Sequence, residues 1–118
     1  MRLGLIASLL AGLGVAAGAF GAHGLRGRLD PGSIATFETA VRYQLVHALA
    51  LFVASQRGAQ APAARGAGFA FTLGILLFSG SLYALALGAP RAVVIITPFG
   101  GLSFLVGWAL LAWSFRTA

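Results

Sequence analysis

Four apolar runs, each roughly 20 residues long and separated by short polar breaks, dominate the chain. They cover residues 3–22, 34–55, 66–87 and 92–115. A hydrocarbon core of about 30 Å needs about 20 residues of helix. In lipid the backbone must satisfy its own hydrogen bonds, so runs of this kind are helices. The alternating period of barrel strands is absent. The pattern predicts an all-α, four-helix transmembrane bundle in one domain, residues 1–118, with helices near 3–22, 31–55, 66–87 and 92–115. The first run, after Met1-Arg2 and ahead of Ala17-Gly18-Ala19, has the outline of a signal peptide. It is longer than the usual 7–15-residue apolar core, so we read it as an uncleaved helix.

The second run differs from the others. It opens TFETAVRYQLVH, from Thr36 to His47, and so carries most of the intramembrane polar side chains. Asp30-Pro31 starts this helix: Asp accepts from orphan N–H groups and Pro fits the first turn. From Pro31 to Ser55 the helix would be about 37 Å long, so its first turns sit in the headgroup layer. Glu38 and Arg42 are four apart with the acid first, a spacing that permits an ion pair. Tyr43 and His47 are also four apart, on nearly the opposite face, with Gln44 between. Two opposed polar faces predict that helix 2 is central and surrounded by protein. A charged side chain at mid-membrane costs about 3 kcal/mol, so these residues need partners or an interfacial position. His47 is read as a neutral imidazole bonded to Tyr43 or to a neighbouring helix. A metal or haem site would need a second ligand at the same depth, and His23 lies at the far end of helix 1.

Small residues mark the expected helix contacts. Gly14, Gly18 and Ala22 form a small-xxx-small stripe on helix 1, and Gly80, Ala84 and Gly88 repeat it on helix 3. GAFGAHG follows a membrane helix rather than a strand, which disfavours a phosphate-cradling loop. In helix 4, Pro98 with Gly100 and Gly101 predicts a kink. Trp108 and Trp113 fall late in helix 4, with Trp113 close to the interface where an aromatic belt is expected, and Phe78 and Tyr83 read as packing.

Composition reinforces this picture. The chain is 59% hydrophobic with only 8% charged residues. Cys is absent, which removes disulfides, thiolate metal sites and redox dithiols. The net charge of +6 comes from Arg alone. The arginines stand singly at the ends of apolar runs, so they face anionic lipid headgroups rather than nucleic acid. Four spans put both termini on one side, with Arg2, Arg57, Arg65 and Arg116; Arg26, Arg28 and Arg91, with Arg42 nearby, mark the other. The small excess favours cytoplasmic termini.

Four motifs in order, GAFGAHGL, TFETAVRYQLVHALAL, SGSLYAL and ITPFGGLSFLVGWALL, resemble the transmembrane protein 256 family, also called domain of unknown function 423. The resemblance covers nearly the whole chain. It implies a multi-pass protein of the bacterial inner membrane or the mitochondrion, and no reaction. Its characteristic positions here are His23, Glu38, Tyr43, Gln44, His47, Thr97, Pro98 and Gly100, while Gly24 and Leu45-Val46 depart from its usual residues.

We therefore expect a non-enzymatic membrane protein without cofactor or metal. It would act by association, as a homo-oligomer or as an accessory subunit of a larger complex. A small-solute or ion transporter component using the polar face of helix 2 is the alternative. A membrane enzyme or haem protein is a third reading.

Overall fold

The computed structural model describes residues 2–116. These form four antiparallel helical segments, α1 (Leu3–His23), α2 (Pro31–Arg57), α3 (Pro62–Ala86) and α4 (Arg91–Ser114). The four-helix bundle expected from hydropathy is what the chain forms. α1, α3 and α4 are long and apolar enough to cross a membrane. α2 has the length, at 27 residues, but Arg42, Gln44 and His47 dilute its apolar character.

Several boundaries have a local cause. Asp30 caps α2: its carboxylate accepts from the Ser33 N–H at 3.1 Å and from the Ser33 hydroxyl at 2.8 Å. These bonds hold its pKa below the usual carboxylate range. α3 begins at Pro62, four residues before the apolar run, because Pro fits the first turn without losing a bond. Within α3, Ile75–Ser79 widens into a π turn. α4 begins as a 3₁₀ turn, Arg91–Ile95, and becomes α-helical at Thr97. The expected kink at Pro98 is therefore corrected. Pro98 lies in the first α turn, where its missing N–H is no loss, and the irregularity falls just before it.

Chain neighbours pack in sequence: α1 on α2, α2 on α3, and α3 on α4. α2 and α3 form the middle, and α1 and α4 bury the smallest share of their apolar windows. The main core joins Leu3 and Ala7 of α1, Leu51 and Ala54 of α2, Phe71 and Ile75 of α3, and Phe104 and Leu111 of α4. α2 is central, but it is not enclosed: Glu38, Arg42, Val46, Leu49 and Val53 form an exposed stripe along it.

Glycines set the close approaches. A Cβ on Gly14 would lie 2.6 Å from Leu45, and one on Gly18 3.3 Å from Val41. Both face α2, and Gly21, which meets Phe37, continues the stripe in place of the exposed Ala22. The proposed stripe on α3 is not used within the bundle. Gly80 is exposed with nothing within 4 Å of an added Cβ, and Gly88 serves a turn at φ +109°. α3 packs instead through Gly68 against Leu3, and through Gly74 against Phe104.

Polar bonds tie each neighbouring pair. Gln44 of α2 donates to the Leu10 carbonyl of α1 at 2.8 Å and accepts from the Tyr83 hydroxyl of α3 at 2.6 Å. Ser79 of α3 donates to the Ala40 carbonyl at 2.8 Å. Ser103 of α4 donates to the Ala70 carbonyl of α3 at 2.7 Å. Arg57, at the end of α2, donates to the carbonyl and hydroxyl of Ser114 on α4. Interhelical bonds of this kind contribute about 0.6 kcal/mol each on average.

Candidate functional site

The polar window of α2 separates into three environments. Glu38 and Arg42 remain exposed on the outward stripe. Among the described residues they are not paired with each other; both line a groove beside Gly18 and Gly21 of α1. This corrects the ion-pair expectation. Both side chains are exposed rather than turned into the bundle. Gln44 points the other way and is consumed in the three-helix bond network. His47 and Tyr43 face α4.

His47 is buried and held on both ring nitrogens. Its Nδ1 lies 2.8 Å from the Tyr43 carbonyl, one turn earlier. Trp108 of α4 donates its Nε1–H to His47 Nε2 at 3.0 Å. An indole N–H only donates and a carbonyl only accepts. His47 is thus the neutral tautomer with its proton on Nδ1. One face of the imidazole stacks on Phe104 at 3.6 Å between centroids and 10° between planes. Tyr43 stacks at 5.9 Å and Phe71 tilts in at 5.8 Å. The Trp108 ring also meets Phe71 edge-on at 5.1 Å.

A groove of about 570 Å³ opens over this cluster between α2 and α4. Tyr43, Val46 and His47 form one wall and Leu102, Leu105 and Trp108 the other, with Phe78 at its floor and Pro98 and Gly101 at one end. A Cβ on Gly100 would run into the Phe78 backbone, 2.8 Å from its Cα, so Gly100 lets α4 approach α3 at its π turn. Ser81 and Thr97 share a 2.5 Å hydrogen bond at the same level. A smaller groove, lined by Arg42, Tyr43, Val46 and His47, continues from the first.

Chemically, both ring nitrogens of His47 are engaged, and every buried side-chain nitrogen or oxygen among the described residues has a hydrogen-bond partner. Among the described residues, no group of three His, Asp or Glu side chains gathers in metal-ligating geometry. His23 lies exposed at the end of α1, far in sequence and depth from His47. The arrangement is built to join helices: His47, Gln44 and Ser79 each spend their polar groups on a neighbouring segment.

The sequence reading missed Trp108 and Phe104 as partners of His47, and Tyr83 as the partner of Gln44. A signal existed in the spacing of Gly100, Phe104, Gly107 and Leu111, which marks one buried face of α4. Gly107 there accommodates Phe71. Nothing in the sequence alone said which α2 residue that face would meet.

Comparison with known proteins agrees with this architecture. The family described as "Protein of unknown function (DUF423)" matches residues 17–101. A UPF0382 membrane protein of Staphylococcus haemolyticus is 42% identical over 108 residues, covering 91% of this chain and 88% of its own length. One from Haemophilus influenzae is 46% identical over 105 residues, covering 87% and 85% respectively. The UPF0382 inner membrane protein YgdD of Escherichia coli K12 is 44% identical over 100 residues, covering 82% and 76%. No solved structure matches the chain. A match across this share of the chain, spanning both the polar window of α2 and the Pro98 turn, places the protein in the DUF423 family of membrane proteins.

Proposed function

We propose that the protein acts by association within the membrane, as a homo-oligomer or as an accessory subunit, and not as an enzyme. The observation that carries this reading is the outer face of α1. Ser8, Gly12, Ala16 and Ala19 are exposed there on one side, and an added Cβ at Gly12 meets nothing within 4 Å. The opposite face, with Gly14, Gly18 and Gly21, is already filled by α2. A free small-residue face lets a second helix approach backbone to backbone. The polar side chains support the same reading, because Gln44 and His47 spend their polar groups on holding helices together.

The proposed location is the bacterial inner membrane, as named for the Escherichia coli relative. The end with both termini carries Arg2, Arg57, Arg65 and Arg116, which favours cytoplasmic termini. The transport alternative draws on Glu38 and Arg42, the polar groups of α2 that face outward. It needs a second copy to close a path around them, and solute flux through vesicles containing the purified protein would be its sign.

Native mass after gentle extraction tests association. A small multiple of 12.0 kDa indicates a homo-oligomer, and a larger mass with other chains an accessory subunit. Gly12→Leu should reduce either assembly. A 12.0 kDa monomer in both proteins overturns the proposal.

A further inference from the structure

We infer that the end of the bundle bearing both termini holds a binding site for a phosphate group at headgroup depth, occupied in the membrane by an anionic phospholipid. The site is a pocket of about 260 Å³ lined by Arg2 and Gly4 at the start of α1, Ser55 and Gln56 at the end of α2, Ala59 in the following loop, and Arg65 in the first turns of α3. Three separate stretches of chain thus bring two guanidinium groups around one hollow, beside the Ser55 hydroxyl, which donates to the Phe52 carbonyl at 2.6 Å, and the Gln56 amide, which lies against that hydroxyl.

Charge accounting points to an anion. The chain has two acidic residues, Asp30 and Glu38, and both belong to the opposite end. The other two arginines at this end are occupied. Arg57 is bonded to Ser114 and lies 4.1 Å from the Phe115 ring centroid. Arg116 donates to the Trp113 carbonyl at 3.0 Å and sits over that ring. Arg2 and Arg65 are exposed and line the pocket. α1 also begins there with no side-chain cap and no acidic residue in its first turn. Its first N–H groups add positive potential to the two guanidinium groups. A phosphate has the charge and the several acceptor oxygens this set requires, and guanidinium binds it through paired donors. Depth selects the source: Arg2 immediately precedes the apolar run of α1, which puts the pocket where lipid phosphates lie.

The test is native mass spectrometry of the detergent-purified protein with phosphatidylglycerol, with phosphatidylcholine, and with inorganic phosphate. The expected result is one retained phosphatidylglycerol in preference to phosphatidylcholine. Paired Arg2→Gln and Arg65→Gln substitutions should weaken retention about 30-fold, about 5-fold for each arginine. Arg26→Gln with Arg28→Gln removes the same charge from the other end and should leave retention unchanged. Far-UV circular dichroism and the melting curve establish that each variant is folded. Retention of inorganic phosphate equal to that of the lipid, and lost in the same variant, supports the phosphate site but reassigns its source to free phosphate. Equal retention of both lipids, or equal loss in both paired variants, overturns the site.

Discussion

His47 owes its state to two partners of opposite character. The Tyr43 carbonyl takes the Nδ1 proton and the Trp108 N–H occupies Nε2, so the ring is neutral, single in tautomer and pinned between α2 and α4. Trp108→Phe keeps an aromatic ring but removes the donor. It should cost about 1–3 kcal/mol, because Nε2 is left buried without a partner. Thermal melting in detergent checks this, and nitrogen chemical shifts of His47 should lose the single-tautomer signature; an unchanged melt would refute the bond. Asp30 is the counterpart outside the membrane. Its carboxyl is held below its ordinary pKa by the bonds to Ser33, so its contribution exists above the unfolded value, about 3.9, and fades as pH falls through the lower folded value. Asp30→Asn should flatten the loss of stability below about pH 4, seen by comparing melting temperatures across an acid series.

At the scale of the element, what matters is where backbones touch. Gly100 meets the backbone of Phe78 inside the π turn of α3, where no side chain is available to move aside. Gly100→Ala should destabilise by about 1–3 kcal/mol through overpacking. Gly80→Ala, one residue past that turn and facing open space, should fall within about 0.5 kcal/mol of the parent. Chemical or thermal unfolding of the two variants side by side separates them; equal effects would mean that the α3–α4 approach is not set by Gly100. The Pro98 turn follows the same logic. Proline is tolerated because the helix begins there, with the 3₁₀ turn Arg91–Ile95 carrying the chain in from the loop.

For the whole molecule, sequential packing leaves α1 and α4 as the outer helices and opens the aromatic groove between α2 and α4. A membrane crossing by α2, alongside the three more apolar helices, would place the α1–α2 and α2–α3 connections on opposite sides. The chain has no cysteine, so an introduced one is a unique label. Arg28→Cys and Gln60→Cys, both exposed in connections, should react with an impermeant thiol reagent from opposite faces of sealed vesicles. Labelling of both from one face would remove α2 as a span. This is the prediction with most at stake, since α2 is the one helix whose polar content keeps it below the apolarity of a membrane span.

Much of the fold was legible in the chain because its cause is local. Segment length and unbroken hydropathy dictate helices in lipid, Asp30-Pro31 dictates the start of α2, and the Gly14–Gly18 stripe dictates close packing on α1. The placement of polar residues on opposite sides of α2 was equally readable from 100° per residue. What only tertiary structure decided is which side meets which neighbour. Helical periodicity puts Gln44 and His47 on a face but does not say that Tyr83 and Trp108 complete them, because those partners are 39 and 61 residues away. It places Gly80 and Ala84 on a stripe but does not say that Gly68 and Gly74 are the glycines that α3 uses. It permits Glu38 to pair with Arg42, yet both face outward and stand apart. Local chemistry determines that these helices form; the match of distant side-chain shapes and donors determines how they are joined.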